Sequence, residues 1–372
     1  MKIGKTLVEL ATELQRQSEV KRDYLVVTEA IEARTVEVPG SPVGVELALA
    51  GGDKQVVVGI NDLAHEQLGG WSGIPRQYYE KMLHEEPALL AVNLNTWFKR
   101  TRATRLVRTL DGRTRAFLSN SYRPMDSFDL AEAVLPVLGA MDLEIISCEV
   151  TERRIYLKAA DKSITRSIPT GKRMGEGHNF FDTVSPGIVI SNSEVGCGSL
   201  SVETGIWTKM CTNMLIASQR SMRKYHLGGR ADLGEEVMAM LSDDTRRKTD
   251  AALWGQVRDV VKGAFDLTRF NEVANQMEGT VENKITGDPV KVIEVTAKKF
   301  GMGEGERSSV LRHLIEGGDL SQYGLINAVT RTAEDLDSYD RATEFERLGG
   351  KLIELPRTEW REISTAGEKK AA

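Results

Sequence analysis

Three cysteines in 372 residues, Cys148, Cys197 and Cys211, are an odd number without CxxC spacing. That argues against a disulfide framework and against a zinc site. The five histidines, His65, His84, His178, His226 and His313, show no paired spacing. No apolar run approaches the roughly 20 residues of a membrane span. The opening stretch MKIGKTLVELATELQRQ is amphipathic and carries acids, unlike a secretory leader. We therefore expect a cytoplasmic protein without membrane contact, metal or cofactor. Catalytic signatures are missing too. Thr170-Gly171-Lys172-Arg173 has the lysine of a phosphate-binding loop but neither its upstream glycine nor its Ser/Thr. GxGxxG after a strand, HExxH and GxSxG are absent. Gly301-Met302-Gly303-Glu304-Gly305 follows a helical stretch and reads as a connector. No nucleophile, base and orienting group stand together in the sequence, so a non-enzyme is expected. An acid set assembled only in three dimensions is left open.

What is present is an uneven charge distribution. The net charge is −5. Residues 1–96 carry 9 basic and 14 acidic side chains, residues 97–231 carry 20 and 13, and residues 232–372 carry 20 and 27. A basic middle thus lies between acidic ends, which points to one anion-facing surface.

The basic middle opens with WFKRTRATRLVRTLDGRTRAFLSNSYRP, residues 97–124, which has seven arginines and one lysine against a single acid. Asp111-Gly112 between strand-like residues predicts a two-residue hairpin. In that register Leu110 faces Arg113 and Arg108 faces Arg115. Arg108, Arg113 and Arg115 should share one sheet face, with Arg105 on the other. Opposed arginines repel, and an anion over the face would relieve them. The opposing reading is a solvated, charged sheet face.

The rest of the chain supplies both periods. Residues 4–18 read as an amphipathic helix. Residues 23–60 read as a β-meander broken by Pro39-Gly40 and Gly51-Gly52. Three short helices follow, the first capped by Asn61. Their helix–glycine–helix pattern permits a helix-turn-helix, but ordinary packing is favoured because the second helix ends in Glu80, Glu85 and Glu86. After the hairpin comes a helix capped at Asp126, then strands MDLEIISCEV and ERRIYLKAA. A long polar loop, residues 161–187, contains Arg166, Lys172 and Arg173. GIVISNSEV and SLSVETGIW are the last two strands. A helix from Trp207 to about His226 then carries Lys209, Asn213, Arg220 and Lys224 as one stripe, with Arg223 beside it. From Asp232 the chain is helical and acidic, with KLIEL as one short strand. Of the aromatics, Trp97, Phe98, Phe117 and Trp207 are assigned to the core, and Tyr122 is the candidate for base stacking.

Several segments carry a resemblance. AHEQLGGWSGIPRQYYEKML, PALLAVNLNTWF, SNSYRPMDSFDLAEAVLPVL, VISNSEVGCGSLSVETGIWTKMCTNMLIAS and GLINAVTRTAED together resemble the phage- and plasmid-associated family known as domain of unknown function 932. The likeness spans roughly residues 60–350. It implies association with mobile-element DNA and no defined activity. The order of elements and charge is also similar to the β-β-β-α core of single-strand annealing recombination proteins, whose rings or filaments hold a positive groove between hairpin and helix. That likeness carries over no catalytic residue.

The expectation is an α+β fold. Residues 1–60 form an N-terminal helix and β-meander, residues 61–230 a basic central α+β core, and residues 231–372 an acidic helical C-terminal region. The expected function is binding of single-stranded DNA or an annealing intermediate, as a homo-oligomer. The contacts would come from Arg100, Arg102, Arg105, Arg108, Arg113, Arg115, Tyr122 and Arg123. Lys209, Arg220, Arg223 and Lys224 would form a second wall, with Lys172 and Arg173 of the long loop as further contacts. The alternative is an assembly protein whose basic core pairs with acidic surfaces of a protein partner. The acidic C-terminal region could also cover the basic core as a nucleic-acid mimic.

Overall fold

A computed structural model of the chain describes all residues except 38, 39, 41, 52, 53, 174–178, 210–212, 225–242, 266 and 369–372. For residues 54, 171–173, 179, 218–224 and 243–250 it describes the backbone alone. The fold is α+β, built on two sheets. No helix among the described residues is long and apolar enough to cross a membrane.

The first sheet joins the meander and the hairpin. Its strands are β1 (Arg22–Val27), β2 (Ile31–Val36), β3 (Gly44–Gly51), β4 (Lys54–Ile60), β5 (Thr104–Leu110) and β6 (Arg113–Ser119). They lie in the order β1-β5-β6-β4-β3-β2. The boundary drawn at residue 60 therefore does not separate two sheets. β1 and β2 stand at opposite ends of this order, yet only Thr28–Ala30 connect them. A link of three residues spans at most about 10 Å, so the sheet must curl until its end strands meet at one corner. Helix α4 (Pro87–Arg100) fills the gap. Its Asn95 amide donates to the Ala33 carbonyl at 2.8 Å and accepts from the Ala33 N–H at 2.7 Å, acting as a missing strand along β2. Helices α2 (Asp62–Ser72) and α3 (Arg76–Glu85) complete the cover. Leu47, Leu68, Leu90, Leu94, Phe98, Val107 and Phe117 form the core beneath. Packing thus prevails over the helix-turn-helix reading. Asn61 caps α2 as expected, accepting from the Ala64 N–H at 2.9 Å.

The second sheet runs β12-β11-β10-β8-β7, with β9 on the outer half of β10. Its strands are β7 (Glu144–Val150), β8 (Ile155–Ala160), β9 (Arg166–Arg173), β10 (Asn179–Asn192), β11 (Leu200–Thr208) and β12 (Asn213–Lys224). Two expectations fail here. Most of the polar stretch 161–187 is strand, with Ile168 fully buried and Pro169 opposite Phe181. An edge strand tolerates proline because one side needs no donor. Residues 213–224 are likewise strand, not helix. Met214, Leu215, Ile216 and Ala217 are all buried in succession, and a strand covered on both faces loses its alternation. Of the rest of the expected helix, Trp207 and Thr208 end β11, and residues 210–212, 225 and 226 lie outside the described residues.

Helix α1 (Leu7–Val20), α5 (Ser127–Ala140) and α6 (Asp243–Gly263) cover one face of this sheet, around Leu157, Ile188, Ile190 and Val202. The remaining helices pack largely on one another and on the second sheet. They are α7 (Leu267–Gly279), α8 (Pro289–Phe300), α9 (Glu304–Gly317), α10 (Gln322–Thr332), α11 (Tyr339–Ile353) and α12 (Arg357–Ser364). KLIEL, expected as a strand, belongs largely to α11. The helix runs through Gly349-Gly350 because it presses against β12, where a Cβ on Gly350 would lie 1.9 Å from the Ile216 carbonyl oxygen.

Charge also enters this joint. Lys158 on β8 and Glu346 on α11 are fully buried and pair at 2.6 Å. Burial pulls the Lys158 ammonium below its ordinary pKa in spite of the pairing. Arg347 holds buried Glu203 at 2.7 Å beside them. Breaking one side of a buried pair strands the other charge. Lys158→Met should therefore cost about 3–5 kcal/mol of stability in urea unfolding, and a Lys158→Met/Glu346→Leu double variant should recover most of it.

Candidate nucleic-acid interface

The expected hairpin forms. Asp111 and Gly112 both have positive φ, 50° and 72°, as a type I′ turn requires. Leu110 pairs with Arg113, but the register shifts between Arg108 and Thr109, so Arg108 faces Ala116. The opposed arginine pair is a misreading of this register. A bulge separates the two side chains, and carboxylates take both.

Arg108 is 1% exposed. Its Nε donates to Asp23 at 2.9 Å, Nη2 to Asp126 at 2.9 Å and Nη1 to the Glu194 carbonyl at 2.8 Å. Arg115 pairs with the Glu194 carboxylate, whose other oxygen accepts from the Ser127 N–H at the start of α5. Lys21 adds a 2.6 Å contact to Asp126. Asp126 thus stands at the N-cap position without capping, since its oxygens serve Arg108 and Lys21. The Tyr122 hydroxyl donates to the Ser193 carbonyl at 2.9 Å, and the Asn192 amide donates to the Met125 carbonyl at 2.6 Å. These contacts tie the first sheet to the β10–β11 loop of the second. Burial pushes the Asp126 and Glu194 carboxyls upward, but Arg108 with Lys21, and Arg115 with Arg108, outweigh it and hold both below their usual range. Arg108 and Arg115 are therefore withdrawn as phosphate contacts, and Tyr122 as a stacking platform. Half-buried Arg123 is engaged within the protein.

The residues of the expected second wall lie on or beside strands of the second sheet, not on a helix. Lys209 is exposed just beyond β11. Arg220 and Arg223 stand at register positions opposite Glu203 and Ser201, on the edge strand β12. Arg173 is opposite Asn179 at the far end of β10. From Asn179 to Ser191, the partner of Ser201, is about 40 Å along the strand. The side chains of Lys172, Arg173, Arg220, Arg223 and Lys224 lie outside the description.

What remains together is the corner where α4 ends and β5 begins. Lys99, Arg100, Arg102 and Arg105 fall within seven residues there. Arg100 lies over the Trp97 ring at 6.0 Å. Arg102 is exposed and reaches Glu29 at 3.2 Å. Arg105 lies 5.5 Å from the Trp71 ring centroid and 5.6 Å from that of Phe117, on the face opposite Arg108 as the alternation required. Arg113 sits apart at the hairpin turn, donating to the Ile60 carbonyl at 2.8 Å. Trp71 was not foreseen; it stacks on Phe98 at 5.1 Å, and nothing in its glycine-flanked segment announces the arginine above it.

Elsewhere, Asp335 accepts from His313 Nε2 at 2.7 Å and from the Ser309 hydroxyl. The serine thus bonds the carboxylate rather than the histidine, so the three do not line up in series as serine, imidazole and carboxylate. Among the described residues no three His, Cys, Asp or Glu side chains converge to hold a metal ion. Comparison with protein-family models, curated proteins and solved structures finds no match.

Two outcomes follow from the buried network. Arg108→Ala should cost about 3–5 kcal/mol in denaturant unfolding, whereas Arg113→Ala and Arg102→Ala should stay within about 0.5 kcal/mol of the parent. Because Asp126 and Glu194 are held below their unfolded pKa values, their contribution is complete at neutral pH. It should be lost as pH falls below about 4, read as a drop in the unfolding midpoint that Arg108→Ala blunts.

Proposed function

We propose that this protein is a non-catalytic, annealing-type binder of single-stranded DNA from a phage or plasmid, and that the strand lies across the α4–β5 corner. One observation carries the reading. Of the four cations gathered there, only Arg102 makes an ion pair among the described residues, and that pair is exposed. Unpaired cations beside Trp71 and Trp97 match what an unpaired strand offers, phosphates on one side and base faces on the other. The resemblance of SNSYRPMD and NSEVGCG to the phage- and plasmid-associated family supports the same setting. Annealing needs two strands held at once, and one corner holds one strand, so the proposal includes a homo-oligomer. The acidic C-terminal helices give no support to the mimic idea: their described core lies on the second sheet.

Fluorescence anisotropy with labelled oligothymidylate and with a duplex of equal length tests the reading. Single-strand binding that weakens steeply between about 50 and 200 mM salt is expected, with a loss of about tenfold in an Arg100→Ala/Arg102→Ala variant. No binding at the lowest salt, or unchanged binding by that variant, would overturn it.

A further inference from the structure

The four cations of the corner are not equivalent, and Arg105 differs in kind. Arg102 is 82% exposed at its side chain, and Arg100 and Lys99 are exposed. Chains so free in water lose rotamer entropy on gripping a ligand. Arg105 is half-buried. Its guanidinium lies against Trp71 and Phe117, two rings 5.4 Å apart and inclined at 64°. Its Nε is buried without a hydrogen-bond partner. Among the described residues no carboxylate lies within ion-pairing distance of it. The contrast with Arg108, three positions along the same strand, is direct. Arg108 is buried and every side of its guanidinium is satisfied by Asp23, Asp126 and the Glu194 carbonyl. Arg105 is partly desolvated and satisfied by no anion. A partly buried cation in that state is costly on its own, and aromatic contact returns only part of the loss.

We infer that Arg105 is the anchoring subsite of the corner, a guanidinium packed against Trp71 and Phe117 that grips the two non-bridging oxygens of one phosphodiester through paired N–H donors. The inference rests on the single-strand reading above and deepens it. Planarity matters, because a guanidinium matches two phosphate oxygens at once whereas an ammonium acts as a point charge. Contact with the two rings confines the guanidinium before the ligand arrives, so less freedom is lost on binding. Arg100 and Arg102 act on neighbouring phosphates as screened, mobile charges, where lysine serves equally well.

Arg-to-Lys replacement distinguishes the two roles. Oligothymidylate is the probe, since it has no guanine edge for an arginine to read. Arg105→Lys keeps the charge and the aliphatic stem over Trp71. It should weaken binding about tenfold through the lost paired donors while keeping the parent's salt slope, whereas Arg105→Gln should also lower the slope by about 0.7, one contact. Arg102→Lys should bind like the parent with the parent's slope. Thermal unfolding of each variant checks that the fold survives, and the slope reports a phosphate contact that a packing role alone would not move. Binding by Arg105→Lys at the parent's affinity, or by Arg105→Gln at the parent's slope, would overturn the anchor while leaving single-strand binding in place. Absence of binding by the parent protein would overturn both.

Discussion

The two sheets depend on one buried knot of charge. Arg108 and Arg115 leave the hairpin of the first sheet and close on Glu194, in the loop between β10 and β11 of the second. Asp23, Asp126 and Lys21 bring the network to three cations and three carboxylates. Such balance is what allows ions to leave water. Glu194 also accepts from the Ser127 N–H, so the N-terminus of α5 is fixed by the same carboxylate. Strand, loop and helix are thereby placed by directional bonds, where apolar contact alone would permit sliding.

The sequence marks this region without disclosing its purpose. Asp111-Gly112 announces the hairpin because two successive positive-φ residues have few alternatives, and Asn61 announces its helix. The alternation that put Arg105 opposite Arg108 survives. The bulge at Arg115 does not show, because an inserted residue leaves no compositional trace. Arginine density is legible, but whether each guanidinium meets water or a carboxylate is not: Asp23 lies 85 residues before Arg108 and Glu194 lies 86 after it. The same limit explains β12. Met214 to Ala217 are apolar in every position, and only the covers on both sides of the sheet decide for strand. For β9, Pro169 and Gly171 read as loop until β10 is present to pair with.

The arginines divide along the same line. Arg108 and Arg115, inside the knot, are removed from solution, and Arg100, Arg102 and Arg105, outside it, collect at the α4–β5 corner beside tryptophan. A chain of negative net charge can still offer a local cationic surface, because a charge's field fades over a Debye length of about 8 Å and, of the corner's four cations, only Arg102 meets a carboxylate among the described residues. Counting charge over a segment therefore overstates the cationic surface that the segment leaves in solution.

The curled first sheet also bears on how the protein is made. β1 has no partner in its own meander; it pairs with β5, and Thr109 reaches Arg22 across 87 residues of chain. On a ribosome adding about 5–20 residues each second, the strand DYLVV waits several seconds for its neighbour, with Tyr24, Leu25, Val26 and Val27 uncovered. The second sheet waits longer, since Ser147 on β7 meets Tyr339 of α11 across 192 residues. A nascent chain of this protein thus carries a short aliphatic stretch without its sheet neighbour, and slowed translation ahead of residue 104 lengthens that exposure.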